Sequence, residues 1–508
     1  LKERLIEIGR DSAWYLASNA VVAVIGFIAI PILTRIFPPR QYGIFSLVNT
    51  AIALGSPILY AWLATSIIRF YPEHEDREEL DVFYSTVLSL TPIYLVLFLG
   101  IMLPVAAFLL PLGKYRVLVC LGIAVFALWV IFNIGQALMR ARQQAWEYAS
   151  LSVFVAFCRY IVGAGIAVWL GQGVKGPFWG WLGVLIIAIP IELIVIKTGK
   201  YYKWKKSSRT LQRAFFSFGF ILIFVTFLSE VLSAVDRYML QGFKGSYQVG
   251  LYSMVYTLVT NSLGVISSFV ALAAAPVIMQ VYEREGEERT VTLIGKITRY
   301  TLMLLVPAMV GIVVLRDPIT RVATSTKYIP AEPAYLPIAL GITFFYISWI
   351  PANAFLIKKR TRQTIIPMAI ATAANIGLNL FLIPKYGFTG AAWATFLSYL
   401  LYMVMLIVMS IRLMSWDFPW LSSLRICLAT GTMTAALYGM MGAGLHGFIG
   451  LLVMVVGGTM LYFLVLIIIG EYSKSEFGFA LDLAQRVPAV GRAIKHARKR
   501  HGERKGDA

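Results

Sequence analysis

Apolar residues run through this chain in long stretches, each broken by a short cluster of charge, Pro or Gly. Marking the stretches predicts spans near 11–36, 41–70, 82–110, 116–139, 149–170, 177–196, 214–241, 248–281, 297–315, 334–357, 364–384, 389–411, 420–443 and 447–470. A run of about 20 apolar residues crosses a bilayer as a helix, so the pattern predicts about fourteen transmembrane helices. All must be α-helical, because an isolated β segment leaves its backbone unsatisfied in lipid. Several exceed what the hydrocarbon requires, which leaves room for tilt and for kinks at Pro31, Pro57, Pro190 and Pro276.

Composition removes the soluble alternative: 59% of the 508 residues are apolar and 14% charged, against about 25% charged in a soluble domain. The net charge of +20 would point a soluble protein to nucleic acid, but here it predicts membrane loops facing anionic headgroups. If the N-terminus is cytoplasmic, 33 of the 45 Lys and Arg fall on that side and ten opposite, which predicts both termini inside a plasma (inner) membrane. The first run lacks a small-residue cleavage site and is read as a retained span. Cys120, Cys158 and Cys427 lie in or beside apolar runs without CxxC spacing, and four histidines form no cluster, so no disulfide or metal site is expected.

Connections are short, leaving no space for an extramembrane catalytic domain. The tail from Glu471 has Phe477, Leu481 and Ala484 at helical spacing and ends in basic residues, predicting an interfacial helix and a basic end.

An internal repeat emerges when spans one to six are laid on seven to twelve. Tyr42-Gly43-Ile44-Phe45-Ser46 recurs as Val249-Gly250-Leu251-Tyr252-Ser253, offset 207, and Arg140-Ala141-Arg142-Gln143 as Arg360-Thr361-Arg362-Gln363, offset 220. Acidic loops after the second span, and Trp179 and Trp393 at the start of the sixth, follow the same order. The chain therefore divides into a six-helix lobe (1–196), a basic cytoplasmic linker (197–213), a second six-helix lobe (214–411), an extra helix pair (412–470) and a basic tail (471–508). Six spans is an even number, so the lobes share one orientation about an axis along the membrane normal.

Charges inside spans are the chemical candidates. Arg159 lies mid-span, where a lipid-facing charge would cost about 2.5–3.5 kcal/mol, so it faces an interior cavity or pairs with another charge. Thr226, Ser229, Glu230, Ser233 and Arg237 form one helical stripe, with Glu230 and Arg237 on a shared face and Asp236 pointing elsewhere. Glu230 and Asp236 are candidates for coupling to H+ or Na+, while snorkelling is the competing reading for Asp236 and Arg237. Further stripes are Asn133, Gln136 and Arg140; Ser253, Thr257, Asn261 and Ser268; and Thr372, Asn375 and Asn379, all of which interhelical hydrogen bonding would also explain. Arg69 either greets a phosphate or anchors at the interface, and Asp11 and Arg35 carry the same ambiguity. Gly171 to Gly176 matches G-x-G-x-x-G but joins two hydrophobic helices and is read as a turn; with no Walker motif and no catalytic constellation, the chain is read as a transporter rather than an enzyme, without a cofactor.

Trp14 to Asn19, then Pro31-Ile32-Leu33-Thr34-Arg35 and Gln41-Tyr42-Gly43-Ile44-Phe45-Ser46, resemble the opening of Wzx-type polysaccharide flippases, in the multidrug/oligosaccharidyl-lipid/polysaccharide exporter superfamily. Ile383-Pro384-Lys385-Tyr386-Gly387 with Gly390-Ala391-Ala392 is similar to that family's second-lobe signature. The resemblance implies a V-shaped, MATE-like pair of lobes around a cationic cavity that opens alternately to either side. It implies a polyprenyl-diphosphate-linked oligosaccharide as cargo, for O-antigen or other cell-surface polysaccharide, with membrane lipids and polymerase or glycosyltransferase machinery as partners. A diphosphate needs a positively lined, hydrated route, which makes Arg159 the first candidate contact, then Arg69 and Arg237, with Arg35, Asn261 and Asn375 beside them. The alternatives are an ion-coupled small-molecule or drug exporter, which would lean on the carboxylates, and a peptidoglycan-precursor lipid flippase.

Overall fold

The computed structural model describes residues 2–109, 116–472 and 476. Seventeen helices are described: α1 (Lys2–Ile36), α2 (Pro39–Ser56), α3 (Trp62–Asp76), α4 (Leu80–Leu109), α5 (Arg116–Ala141), α6 (Ala145–Trp169), α7 (Gly176–Val195), α8 (Thr198–Tyr201), α9 (Arg209–Lys244), α10 (Ser246–Glu285), α11 (Glu287–Val314), α12 (Arg316–Ala323), α13 (Tyr335–Ile347), α14 (Trp349–Ile357), α15 (Ile365–Ile411), α16 (Trp420–Gly442) and α17 (Gly447–Ile468). No strand occurs among the described residues, as a chain built from membrane spans requires.

Ten helical stretches are long and apolar enough to cross a membrane, and the two halves of α9, bent by 44°, make an eleventh if taken as one. That is fewer than the fourteen runs of the sequence, and the difference has local causes. α15 holds two runs in one helical stretch, α16 is diluted by Ser422, Ser423, Arg425 and three threonines, and the sequence of α4 is apolar along the whole of Leu80–Leu109. Pro57, an expected kink, opens a five-residue π-helical segment that joins α2 to α3. The expected interfacial helix of the tail, with Phe477, Leu481 and Ala484, lies outside the described residues.

Within the first half of the chain α6 packs on α1 and α7, and α5 on α7 and α3; within the second, α15 packs on α9 and α13, and α10 on α11. α16 and α17 pack on each other and α16 on α11. The halves meet chiefly where α2 crosses α10, and the repeat explains how. Gly43 and Gly250, the glycines of the repeated pentapeptide, lie in this crossing: a Cβ on Gly43 would stand 2.8 Å from the Gly250 nitrogen and overlap the Ser246 carbonyl, and one on Gly250 would overlap the Pro39 carbonyl. Small residues let helix backbones approach within a membrane, so the motif that marks the repeat is also the contact between its copies.

The second-lobe signature has an equally local role. Gly387 has φ +60° and ψ −136° inside α15, a conformation that favours glycine, and the Phe388 N–H freed there donates to Gln248 Oε1 at 2.9 Å. The chain thereby kinks within α15 and ties to α10. Near the end of α17, Glu471 accepts from Arg299 at 2.6 Å and lies 3.3 Å from Arg425. Arg299 of α11 and Arg425 of α16 thus fasten the end of α17 onto those two helices. The 197–213 segment is fastened at Asp81, which accepts from Lys203 at 3.3 Å and from Lys206.

Candidate functional site

A cavity of about 550 Å³ opens between α1, α2, α5, α6 and α10. Its lining follows from the stripes of the sequence: Asn133, Gln136 and Arg140 face it from α5, and Thr257 and Asn261 from α10. α6 adds Tyr148, Ser152, Arg159 and Tyr160, and α1 and α2 add Asn19 and Asn49. Among the described residues two arginines and no carboxylate line this space, so its field favours an anion.

Arg159 is held rather than free to wander. Its Nη2 donates to Asn49 Oδ1, and its guanidinium stacks 3.4 Å from the centroid of Trp181 and 4.9 Å from that of Tyr160. It makes no ion pair among the described residues, so the pairing alternative gives way to a cation placed on aromatic faces at the cavity wall. Such contacts stabilise a desolvated guanidinium by about 2 kcal/mol and leave its remaining N–H groups available to a ligand. Arg140, at the exposed end of the same space, lies 5.8 Å over the ring of Tyr148.

The other candidates fall elsewhere. Asp236 and Arg237 do not snorkel: their side chains are 0% and 8% exposed and lie 3.9 Å apart. Asp236 also accepts from the Arg237 N–H at 2.8 Å, from Thr395 at 3.1 Å and from Tyr252, while Arg237 donates to the Ser233 carbonyl at 2.6 Å and lies 4.4 Å over Tyr256. This is a knot joining α9, α10 and α15. The apolar run around Asp236 and Arg237 could not reveal it, because Thr395 is 159 positions away. Glu230 is half-buried on the same helix and does not line the cavity. Arg69 is exposed, beside Phe70 at 5.9 Å, and Arg35 donates to the Val322 carbonyl at 3.0 Å. Asn375 is buried and accepts from Asn379 at 3.0 Å. Arg159 and Asn261 are therefore brought together in one cavity, and Arg69, Arg237, Arg35 and Asn375 stand outside it.

Sequence reasoning missed Asn49, Trp181 and Glu192, and with them Tyr148 and Ser152 of the lining. Glu192 is buried behind the cavity wall, accepting from Gln136 Nε2 at 3.0 Å. A polar residue inside an apolar run was the available signal for Asn49 and Glu192; Trp181 had none, since tryptophan is ordinary in a span. A second space, an apolar groove of about 340 Å³, runs between α10, α11, α12, α16 and α17 and is lined by Leu263, Ile266, Met303, Leu437 and Met454 among others.

The family model described as "polysaccharide biosynthesis protein" matches residues 8–282, more than half of the chain, and that described as "lipid II flippase MurJ" matches residues 244–465. Among curated relatives, an uncharacterized membrane protein of the cps region of Klebsiella pneumoniae is 22% identical over 335 residues, 64% of this chain and just under two thirds (66%) of that protein. The succinoglycan biosynthesis transport protein ExoT of Rhizobium meliloti (strain 1021) is 25% identical over 66% of both chains. Among solved structures, the lipid II flippase MurJ in an inward closed conformation superposes with TM-score 0.71 at 17% identity, covering 90% of this chain and 98% of that one. An inward-facing MATE multidrug transporter superposes with TM-score 0.63 at 14% identity, covering 77% and 94%. The fold is thus the one shared by MurJ and MATE transporters.

Proposed function

The chain belongs to the polysaccharide biosynthesis protein family, and from this we propose that it is a flippase carrying a polyprenyl-diphosphate-linked oligosaccharide from the cytoplasmic to the outer leaflet by alternating access. Its family and fold are those of membrane flippases and transporters. The observation that carries the cargo assignment is the cavity: about 550 Å³, two arginines, several amides and aromatic rings, and no carboxylate among the described residues. A diphosphate seeks guanidinium donors, sugars seek amides and ring faces, and a small-molecule site has this volume. The prenyl tail needs only apolar surface, which the groove beside α16 and α17 provides.

In this reading the two six-helix lobes rock about the α2–α10 crossing, and Arg159 meets the diphosphate while Asn49 and Trp181 hold it in place. Both termini face the cytoplasm of the plasma (inner) membrane, as the 33 to 10 bias of basic residues supports. The absence of a carboxylate among the described residues of the cavity wall weighs against a cationic-drug exporter. The MurJ match over residues 244–465 supports a second cargo, a peptidoglycan-precursor lipid, which shares the polyprenyl diphosphate and differs in its sugar.

The test is reconstitution in vesicles with a fluorescent short-chain polyprenyl-diphosphate sugar on the inside. Protein-dependent appearance of the sugar to an external lectin, abolished in Arg159→Ala, is expected. Equal exposure in protein-free vesicles, or transport of a cationic dye instead, would overturn the assignment.

A further inference from the structure

Three carboxyl groups are buried among the described residues: Asp236, Glu471 and Glu192. Asp236 has Arg237, two hydroxyls and a backbone N–H, and Glu471 has two arginines. Glu192 has an amide alone. Its Oε1 accepts from Gln136 Nε2 at 3.0 Å, and Gln136 Oε1 accepts from Ser152 Oγ at 3.1 Å. Its carboxyl sits in a notch made by a missing side chain, since a Cβ on Gly135 would collide with it.

The arginines and the lysine placed near α7 make other contacts. Arg142 donates to the Ile196 carbonyl at 2.6 Å and to Tyr84 at 3.3 Å, Arg140 lies over Tyr148, Arg159 is held by Asn49 and Trp181, and Lys200 of α8 lies over Tyr201. None forms an ion pair with Glu192. A buried carboxylate without a cation is disfavoured, and a group so placed takes up a proton instead. Gln136 and Ser152 both line the cavity, so this acid stands one side chain behind the wall where the anionic cargo is proposed to bind.

We propose that Glu192 is a proton site linked to the cavity through Gln136, so that an anion in the cavity and a proton on Glu192 favour each other. The inference deepens the flippase reading and its linkage rests on it. A negative group at the wall disfavours the ionised carboxylate, and by reciprocity protonation strengthens anion binding. Neither Glu230 nor Asp236 is required for this linkage.

The experiment is infrared difference titration of the full chain in lipid nanodiscs, with farnesyl diphosphate as the probe. The wild type is expected to show the carbonyl band of a protonated carboxylic acid at neutral pH, absent from Glu192→Gln, and bound farnesyl diphosphate should move its titration to higher pH by about 1. If Glu192→Gln does not fold, 13C-glutamate labelling and the band shift caused by Gln136→Leu assign the signal in folded protein. Identical carbonyl regions in wild type and Glu192→Gln would overturn the proton site, and a band unmoved by bound farnesyl diphosphate would overturn the linkage. A band present with no farnesyl diphosphate binding would refute the diphosphate cargo while supporting the proton site, so the two failures are distinct.

Discussion

Replacing Gly250 with Ala tests whether the two halves turn on the α2–α10 crossing. The added Cβ would overlap the Pro39 carbonyl oxygen and come within 2.6 Å of its carbon and 3.0 Å of its Cα. These are backbone atoms in the first turn of α2, so no side-chain rotation relieves the contact and one helix must shift bodily. Overpacking of this kind costs about 1–3 kcal/mol. If the crossing is intact in one transport state and opened in the other, that cost falls on one state and moves the equilibrium by about 5–150-fold. Spin labels at Gln41 and Tyr247, both exposed near the crossing, would report it as a change from a short to a longer distance by double electron–electron resonance, with Cys120, Cys158 and Cys427 replaced beforehand. Gly43→Ala should act alike, because its Cβ would overlap the Ser246 carbonyl of α10. The double variant should cost less than the two singles together, since helices already parted feel the second methyl group less. Unchanged distances and unchanged transport in Gly250→Ala would refute the crossing as a moving contact, and full additivity would refute its being a shared one.

Arg159→Ala should abolish transport while leaving melting in detergent within a few degrees, whereas Arg159→Lys, which keeps the charge but loses the planar stack on Trp181, should recover only part of it; wild-type transport in Arg159→Ala would remove Arg159 from the site. Asp236→Asn leaves Arg237 buried beside a neutral partner and should destabilise by about 3–5 kcal/mol, read by thermal unfolding, and Asp236→Asn with Arg237→Met should cost less than Asp236→Asn alone; an unshifted melting curve would contradict the knot. Asp81→Asn should speed tryptic cleavage at Lys203 and Lys206, because it releases the linker from α4. Lys206 and Lys203 hold the Asp81 carboxyl below the usual carboxylate range; docking is therefore present at neutral pH and lost only as the pH falls through that lowered value, so cleavage that slowed in acid relative to Asp81→Asn would contradict it.

Membrane class and helical content were legible because lipid allows few solutions: an apolar run of sufficient length must be a helix. The paired pentapeptides drew attention to glycines that carry a steric demand, and Gly43 and Gly250 proved to be each other's neighbours. Polar stripes showed which residues avoid lipid but not what they face. Asn133, Gln136 and Arg140 turned to the cavity, while Asn375 and Asn379 turned to each other, and no helical spacing distinguishes the two. Arg237 illustrates the same limit. Its burial depends on Tyr256 and Tyr399, hydrogen-bonded at 2.9 Å across 143 positions, a tertiary event without local trace. Glu192 was missed for the converse reason: a single acid near the end of an apolar helix looks interfacial until Gly135 and Gln136 are seen to enclose it.

The central claim is that this chain turns a lipid-linked sugar from one leaflet to the other. Its most direct test is the profile of lipid-linked sugars in cells lacking the protein and its paralogues, with sidedness read by an external glycosidase or lectin. The account predicts accumulation of a polyprenyl-diphosphate oligosaccharide that external reagents cannot reach, restored to the outer face by the wild-type chain and not by Arg159→Ala. A normal pool, fully accessible from outside, would contradict it.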